Sequence, residues 1–438
     1  MIILDKLKKN RVFKNSIWMV FEKIISIFGL IFVTSFVAKY IGPESFGKLN
    51  FAASIFGVVQ IFSWFGCDNL IFKRASKNPN SAWALIKYTK SIRNIMYFIT
   101  GIPVLTYVYY YTDSVTFYFG LASFFASYLM ALDVSSIYFN AQLKAYINVI
   151  SNILGLLFSF ISRYIIAFLQ IDMIWLVVPI IGIALIPFLI RWYIFNYKEK
   201  NNCVGNSNKI KYKRYLFFSG ANLVLYTLSV AIFTKTSQFF LGLYSMKDLG
   251  IYVVASTLGV GFYSILTAFI SSFMSKIYAE KDECVANQMV AQVNILVIII
   301  SLFMTLFMYF FGKEIVLFLY GDGYIDSVKY IVFFTFLALI SGLSTVSEKY
   351  IIKFSTSGAY NFLLKKMVII LILNTFMSYL FIANLGLKGA IFSVLITELL
   401  SLTILNYFFK NGMMLKLHLL TFKLFFSGTF LRWMKNAN

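Results

Sequence analysis

Asn148, Asn152, Gly155, Ser159 and Arg163 recur in one apolar stretch at i, i+4, i+7, i+11 and i+15, which stacks two amides, a gap, a hydroxyl and a guanidinium on one stripe of a helix. A charged side chain within a membrane span costs at least ~2.5 kcal/mol on insertion scales, so such a stripe lines protein or water rather than lipid. Two arrangements answer the pattern: a lumen in which Arg163 meets an anion, or a helix-helix seam in which it snorkels or bonds a neighbouring carbonyl. A second cation, Lys235, lies close to the same helix face as Thr227, Thr234 and Gln238, with no acid within a helical turn. It fits a lumen unless it reaches the far interface. A third, Lys23, adjoins Glu22 on the polar side of the first apolar stretch. It either compensates that carboxylate or stands at the mouth of a cavity. Lys23, Arg163 and Lys235 thus form a candidate cationic path, with Asn148, Asn152, Ser159, Thr234 and Gln238 as candidate polar lining.

The acids offer a different chemistry. Asp133 near the end of one apolar stretch, Glu398 in the middle of another, and Glu22 could exchange H+ or bind Na+, or could serve as fixed partners for the cations. These are the candidates for ion coupling. Other catalytic chemistry is missing: the single His418 lies in a basic tail, which leaves no histidine-based metal cluster or triad, and no glycine-rich phosphate loop is present. Cys67, Cys203 and Cys284 lack metal-ligand spacing and are expected as free thiols. No enzyme, cofactor or metal site is expected. Aromatics make up 19% of the chain, but phenylalanine dominates and suits lipid contact and helix packing more than sugar stacking.

The elements that position these residues are twelve hydrophobic segments: Ser16 to Tyr40, Gly47 to Cys67, Asn94 to Tyr111, Ser114 to Ile137, Asn148 to Leu169, Met173 to Phe195, Tyr215 to Leu243, Gly250 to Ser275, Ala291 to Phe311, Tyr330 to Ser347, Met367 to Ala383 and Gly389 to Phe409. Most can cross a hydrocarbon core of ~30 Å at ~1.5 Å per residue. With the N-terminus in the cytoplasm, most of the 39 Lys and Arg fall on cytoplasmic connections, which places both termini inside. A net charge of +22 could suggest nucleic acid, but it sits in short loops beside spans, where anionic membrane lipids explain it. No small-residue cleavage site follows the first apolar stretch, so it is expected to be retained as a helix.

The chain also echoes itself. A shift of 203 lays Phe46-Gly47, Phe51 and Ala52 over Leu249-Gly250, Val254 and Ala255, and a fainter echo lays Ala145-Tyr146 over Ala359-Tyr360. Chance recurrence of small packing residues could produce the second. The first implies two six-helix halves in the same orientation, a plan in which substrate binds between repeats. The expected fold is an all-α polytopic membrane protein of about 12 transmembrane helices in two parallel-repeat halves, N-in and C-in. The halves cover 1–196 and 215–410, with a basic cytoplasmic linker at 197–214 and a basic interfacial tail at 411–438.

The turn Tyr40-Ile41-Gly42-Pro43-Glu44-Ser45-Phe46-Gly47, followed by Phe51-Ala52, resembles the polysaccharide-transporter family of the multidrug/oligosaccharidyl-lipid/polysaccharide (MOP) exporter superfamily. The chain looks most like its Wzx-type flippases. Further likenesses are Asp68 with Arg74, Thr234-Lys235 with Gln238 and Leu241-Gly242, Leu249-Gly250-Ile251-Tyr252 with Ala255, Tyr320-Gly321-Asp322-Gly323-Tyr324 and Leu385-Gly386-Leu387-Lys388-Gly389-Ala390. The resemblance implies a MATE-like fold in the bacterial cytoplasmic (inner) membrane. It also implies transfer of undecaprenyl-diphosphate-linked oligosaccharide repeat units, of O-antigen or capsule type, to the outer leaflet by alternating access through a cationic cavity. A repeat-unit polymerase and chain-length regulator are the partners that go with such a role. Ser237 departs from the family, whose members often carry an acid there. Flippases for lipid II or teichoic-type precursors and MATE-like drug exporters share the superfamily. Lipid II flippases usually carry two extra helices, and the drug exporters need acids to dominate the cavity.

Overall fold

In hydrocarbon a backbone has no water to bond, and the α-helix satisfies its polar groups within one segment. The computed structural model describes Trp18, Ile25 and residues 29–64, 66–198, 209–353 and 358–426. Glu22, Lys23 and Cys203 lie outside the described residues, as do most of the linker and residues 427–438. Nine helices among the described residues are long and apolar enough to cross a membrane, and no strand occurs among them. The protein is an all-α, multi-pass membrane protein.

The helices follow the expected segments. α1 (Thr34–Trp64) breaks at Gly42, where φ is 75° and ψ 170°, with Pro43 next in line. Glycine tolerates that conformation and proline lacks the helical N–H donor, so the first two expected spans meet there without a loop. α2 (Cys67–Lys77) leads to α3 (Pro79–Tyr111), whose start is fixed by Asn78: its side chain accepts from the Ser81 N–H at 3.0 Å. α3 occupies the third expected span without being among the nine, since Tyr107, Tyr109, Tyr110 and Tyr111 make its last turns less apolar. α4 (Ser114–Leu132), the short α5 (Ser135–Ala141), α6 (Ala145–Phe168) and α7 (Val177–Tyr193) follow. Then come α8 (Lys209–Tyr244), α9 (Met246–Val260), α10 (Tyr263–Ala279), α11 (Glu283–Leu319), α12 (Val328–Lys353), α13 (Ala359–Leu385), α14 (Leu387–Leu400) and α15 (Met413–Phe426).

The chain divides into two compact units, Met1–Lys235 and Thr236–Asn438, the division falling inside α8. In the first unit, Phe56, Tyr97 and Phe124 pack as one buried cluster, and the Tyr97 hydroxyl donates to the Phe124 carbonyl at 2.6 Å. α6 lies against α7 closely enough that a Cβ at Gly155 would stand 2.7 Å from Pro187 Cγ. Phe46, Gly47, Phe51 and Ala52 are buried in this unit, and their echoes Leu249, Gly250, Val254 and Ala255 are buried in the other.

In the second unit α15 lies on α11. Met414, Leu417 and Thr421 are buried, and the Asn294 side-chain amide donates to Thr421 Oγ1 at 3.2 Å. His418 is held between Tyr407 Oη (3.2 Å) and Ser347 Oγ (3.4 Å). Leu419, Phe422 and Phe426 remain exposed on the opposite face. The described part of the tail is thus a helix that packs Met414, Leu417 and Thr421 inward and leaves Leu419, Phe422 and Phe426 exposed together with Lys416 and Lys423.

Candidate functional site

The stripe on α6 serves two ends. At its start, the Asn148 amide donates to the Ser136 carbonyl at 2.7 Å and to Asn140 Oδ1 at 2.8 Å, tying α6 to α5. One turn on, Asn152 Oδ1 accepts from Arg191 Nη1 at 2.7 Å. Arg191, from α7, also donates through Nε to Asp133 Oδ2 at 2.7 Å and through Nη2 to the same oxygen; Ser135 Oγ donates to Asp133 Oδ1 at 2.8 Å. Both side chains of the ion pair are 7% exposed. With Asn152, the pair links the C-terminal end of α4 to α6 and α7. Ser159 is fully buried, with its hydroxyl unpaired among the described residues.

Arg163, at the other end of the stripe, is half-buried and has no hydrogen bond or ion pair among the described residues. It lines a cavity of about 180 Å³ within the first unit, together with Gln60 from α1 and Ser123 and Ser127 from α4. Apolar walls come from Phe56 and Met130, and no acid is among the lining residues. Gly57 also lines it, and a Cβ built there would meet nothing within 4 Å. Ser127 Oγ is already bonded to Tyr97 Oη at 2.7 Å and to the Phe124 carbonyl at 3.2 Å. A guanidinium with five donors, the Gln60 amide and the Ser123 hydroxyl, facing space without a carboxylate, are suited to an anion with several oxygens.

On α8, Thr234 is exposed and its hydroxyl returns to the Ala231 carbonyl at 2.9 Å, while Lys235 and Gln238 are half-buried. Ser237, two residues beyond Lys235, is buried with Ser378 (3.1 Å) and Ser393 (3.3 Å), a hydroxyl cluster that ties α8 to α13 and α14 in the second unit. Nearby, the Asn374 amide donates to Thr397 Oγ1 at 3.0 Å. Glu398 accepts from Ser341 Oγ at 3.3 Å and has no ion pair among the described residues. Lys366, 1% exposed, pairs instead with Glu348 at 3.0 Å.

The stripe therefore runs from a helix-helix seam to a cavity, and Arg163 is its residue among those lining that cavity. Gln60, Ser123, Ser127, Arg191, Glu348 and Lys366 were not singled out from sequence. Ser123 and Ser127 stand four apart in a Phe- and Ala-rich helix, a weak version of the spacing that marked α6. Among the described residues no group of His, Cys, Asp and Glu could hold a metal ion. Cys67 and Cys284 are free, the first buried and the second exposed.

The profile of the family described as polysaccharide biosynthesis protein matches residues 12–275. Among solved structures, an inward-facing multidrug resistance MATE family transporter of the MOP superfamily shares the fold at a TM-score of 0.69 and 13% identity, over 91% of this chain and 95% of that one. The lipid II flippase MurJ, in an inward closed conformation, aligns at 0.64 and 14%, over 94% and 91%. A MOP superfamily transporter from Pyrococcus furiosus, whose binding pocket is described as of reverse polarity, aligns at 0.61 and 11%, over 94% and 96%. No curated protein matches the sequence.

Proposed function

The chain belongs to the polysaccharide biosynthesis protein family, and from that premise we propose that it is a flippase for oligosaccharides carried on polyprenyl diphosphate. In this reading it moves repeat units of O-antigen or capsule type from the cytoplasmic to the outer leaflet of the bacterial inner membrane. It does so by exposing a cationic cavity alternately to the two sides.

Arg163 carries the reading. A diphosphate crossing hydrocarbon has to exchange water for charge-assisted bonds. The Arg163 guanidinium has nothing else to bind among the described residues, and Gln60, Ser123 and Ser127 stand beside it in a cavity lined by no acid. An organic cation would meet like charge there. Lys235 is assigned to the same path, and Lys23 keeps the cytoplasmic mouth on its sequence position alone. Thr234 and Gln238 remain secondary polar contacts. Asn148, Asn152 and Asp133 are assigned to bracing, since each is already committed to a protein partner. Glu398 is the carboxylate we assign to ion coupling, because Ser341 is its one hydrogen-bond partner among the described residues. The product on the outer leaflet would feed a repeat-unit polymerase.

The test is reconstitution of the full chain in proteoliposomes with a fluorescent polyprenyl-diphosphate oligosaccharide on one leaflet. Protein-dependent transfer of that lipid, unaffected by excess tetraphenylphosphonium, is expected. Transport of the organic cation in place of the lipid would overturn the reading in favour of drug export.

A further inference from the structure

At one end of the second unit, two neighbouring helices present the same short pattern. α12 places Lys329 in its first turn and Phe333 one turn on, and α14 does the same with Lys388 and Phe392. Residues four apart share a helix face, so each lysine stands directly above its phenylalanine. The two patterns converge: the rings of Phe333 and Phe392 lie edge to face, with centroids 6.2 Å apart. The four side chains, with Tyr330 and Ile391, line one groove of about 450 Å³. Both phenylalanines are exposed, at 42% and 39%. Lys388 has no partner among the described residues, and Lys329 has only Asp326, at 2.9 Å and well exposed.

This end is the one opposite α15, which follows the other end of α14. Under the positive-inside arrangement it faces the outer leaflet. We propose that the groove is an outer-leaflet docking site for the polyprenyl diphosphate carrier, with the diphosphate on Lys329 and Lys388 and the first prenyl units over Phe333 and Phe392. The proposal rests on the flippase reading for the identity of the lipid, but its site shares no residue with the Arg163 cavity.

Three features select this occupant. Two cations at one depth, above exposed rings at a deeper one, match a ligand with a charged head and an apolar tail. A groove walled by one pair of rings accepts a single chain, which a polyprenyl lipid has and a two-chain glycerophospholipid does not. An exposed pair such as Lys329–Asp326 is worth little, so a diphosphate can draw Lys329 away. In function, the groove would hold the carrier after translocation and delay its return.

Native mass spectrometry of the purified full chain with undecaprenyl diphosphate tests this. Two bound lipids are expected on the wild type. One should remain on Lys329→Gln/Lys388→Gln and one on Arg163→Gln. Affinity at the groove should fall about fivefold for each lysine, the effect of one cation at a membrane surface. Phe392→Ala should weaken the same site. Unchanged stoichiometry and affinity in the double lysine variant would overturn the proposal, as would equal occupancy of the groove by phosphatidylglycerol. Failure of the flippase reading looks different: lysine-dependent binding would persist while proteoliposomes moved no lipid.

Discussion

Replacing Arg163 by glutamine removes a charge that the protein itself does not use among its described contacts, so loss of transport can be separated from loss of folding. Glutamine keeps length and hydrogen-bonding capacity but cannot neutralise a phosphate oxygen. Truncating one partner of a buried, hydrogen-bonded charge pair costs about 2–5 kcal/mol. At about 1.4 kcal/mol per factor of ten, Arg163→Gln should slow translocation by roughly 30-fold to 4000-fold. Gln60 and Ser123 would remain in the cavity and still offer neutral hydrogen bonds, which favours the lower half of that range. Arg163→Lys should recover much of the rate, since charge persists while the planar two-pronged contact is lost. The assay is the initial rate of fluorescent lipid transfer in proteoliposomes, normalised to reconstituted protein. Surface glycan display in cells would be scored beside membrane abundance. A glutamine variant within twofold of the wild type would refute the assignment of Arg163 to the substrate path.

Three other perturbations probe separate parts of the structure. Gly57→Ala places a Cβ in the cavity without a clash and raises helix propensity, so thermal stability should be equal or higher while transport falls severalfold; normal transport would remove this cavity from the pathway. Asp133→Asn should destabilise the protein by about 3–5 kcal/mol, because Arg191 would be left buried without its anion. The double replacement Asp133→Leu/Arg191→Met should recover most of that loss in thermal unfolding, and no recovery would show that the pair does more than brace the helices. For sidedness, exposed native Cys284 should resist a membrane-impermeant maleimide in spheroplasts, whereas Lys247→Cys should react; the reverse pattern would invert the topology.

The helices were legible because hydrocarbon leaves a chain so few choices: the expected apolar stretches fall on helices, although the first two meet in α1, the eighth divides into α9 and α10, and the short α2 and α5 had no stretch of their own. The α3 segment was visible as well, although its tyrosines lower its hydropathy. The site was only partly legible. Helical spacing correctly gathered Asn148, Asn152, Gly155, Ser159 and Arg163 on one face, but spacing within a helix cannot say what stands opposite. Asn140, Pro187 and Arg191 turn most of that face into a seam, and open space remains only at Arg163. Gln60, Ser123 and Ser127 reach the cavity from two other helices, and no local pattern links them to Arg163. Glu348 and Lys366 pair across 18 residues between α12 and α13, a match set by packing and not by periodicity.

The bond between Asn294 and Thr421 joins the first third of α11 to a helix residue made 127 residues later. At about 5–20 residues per second, a ribosome needs roughly 6 to 25 seconds to supply that partner. During this interval a buried amide within a span lacks its hydroxyl, and α11 presents a polar notch to lipid or to whatever chaperone attends insertion. Biogenesis of the second unit is therefore not finished when its last span enters the membrane. It ends when α15 folds back, so a nascent chain cut short before Thr421 would carry an open polar seam, a mark by which a membrane protease could tell incomplete molecules from complete ones.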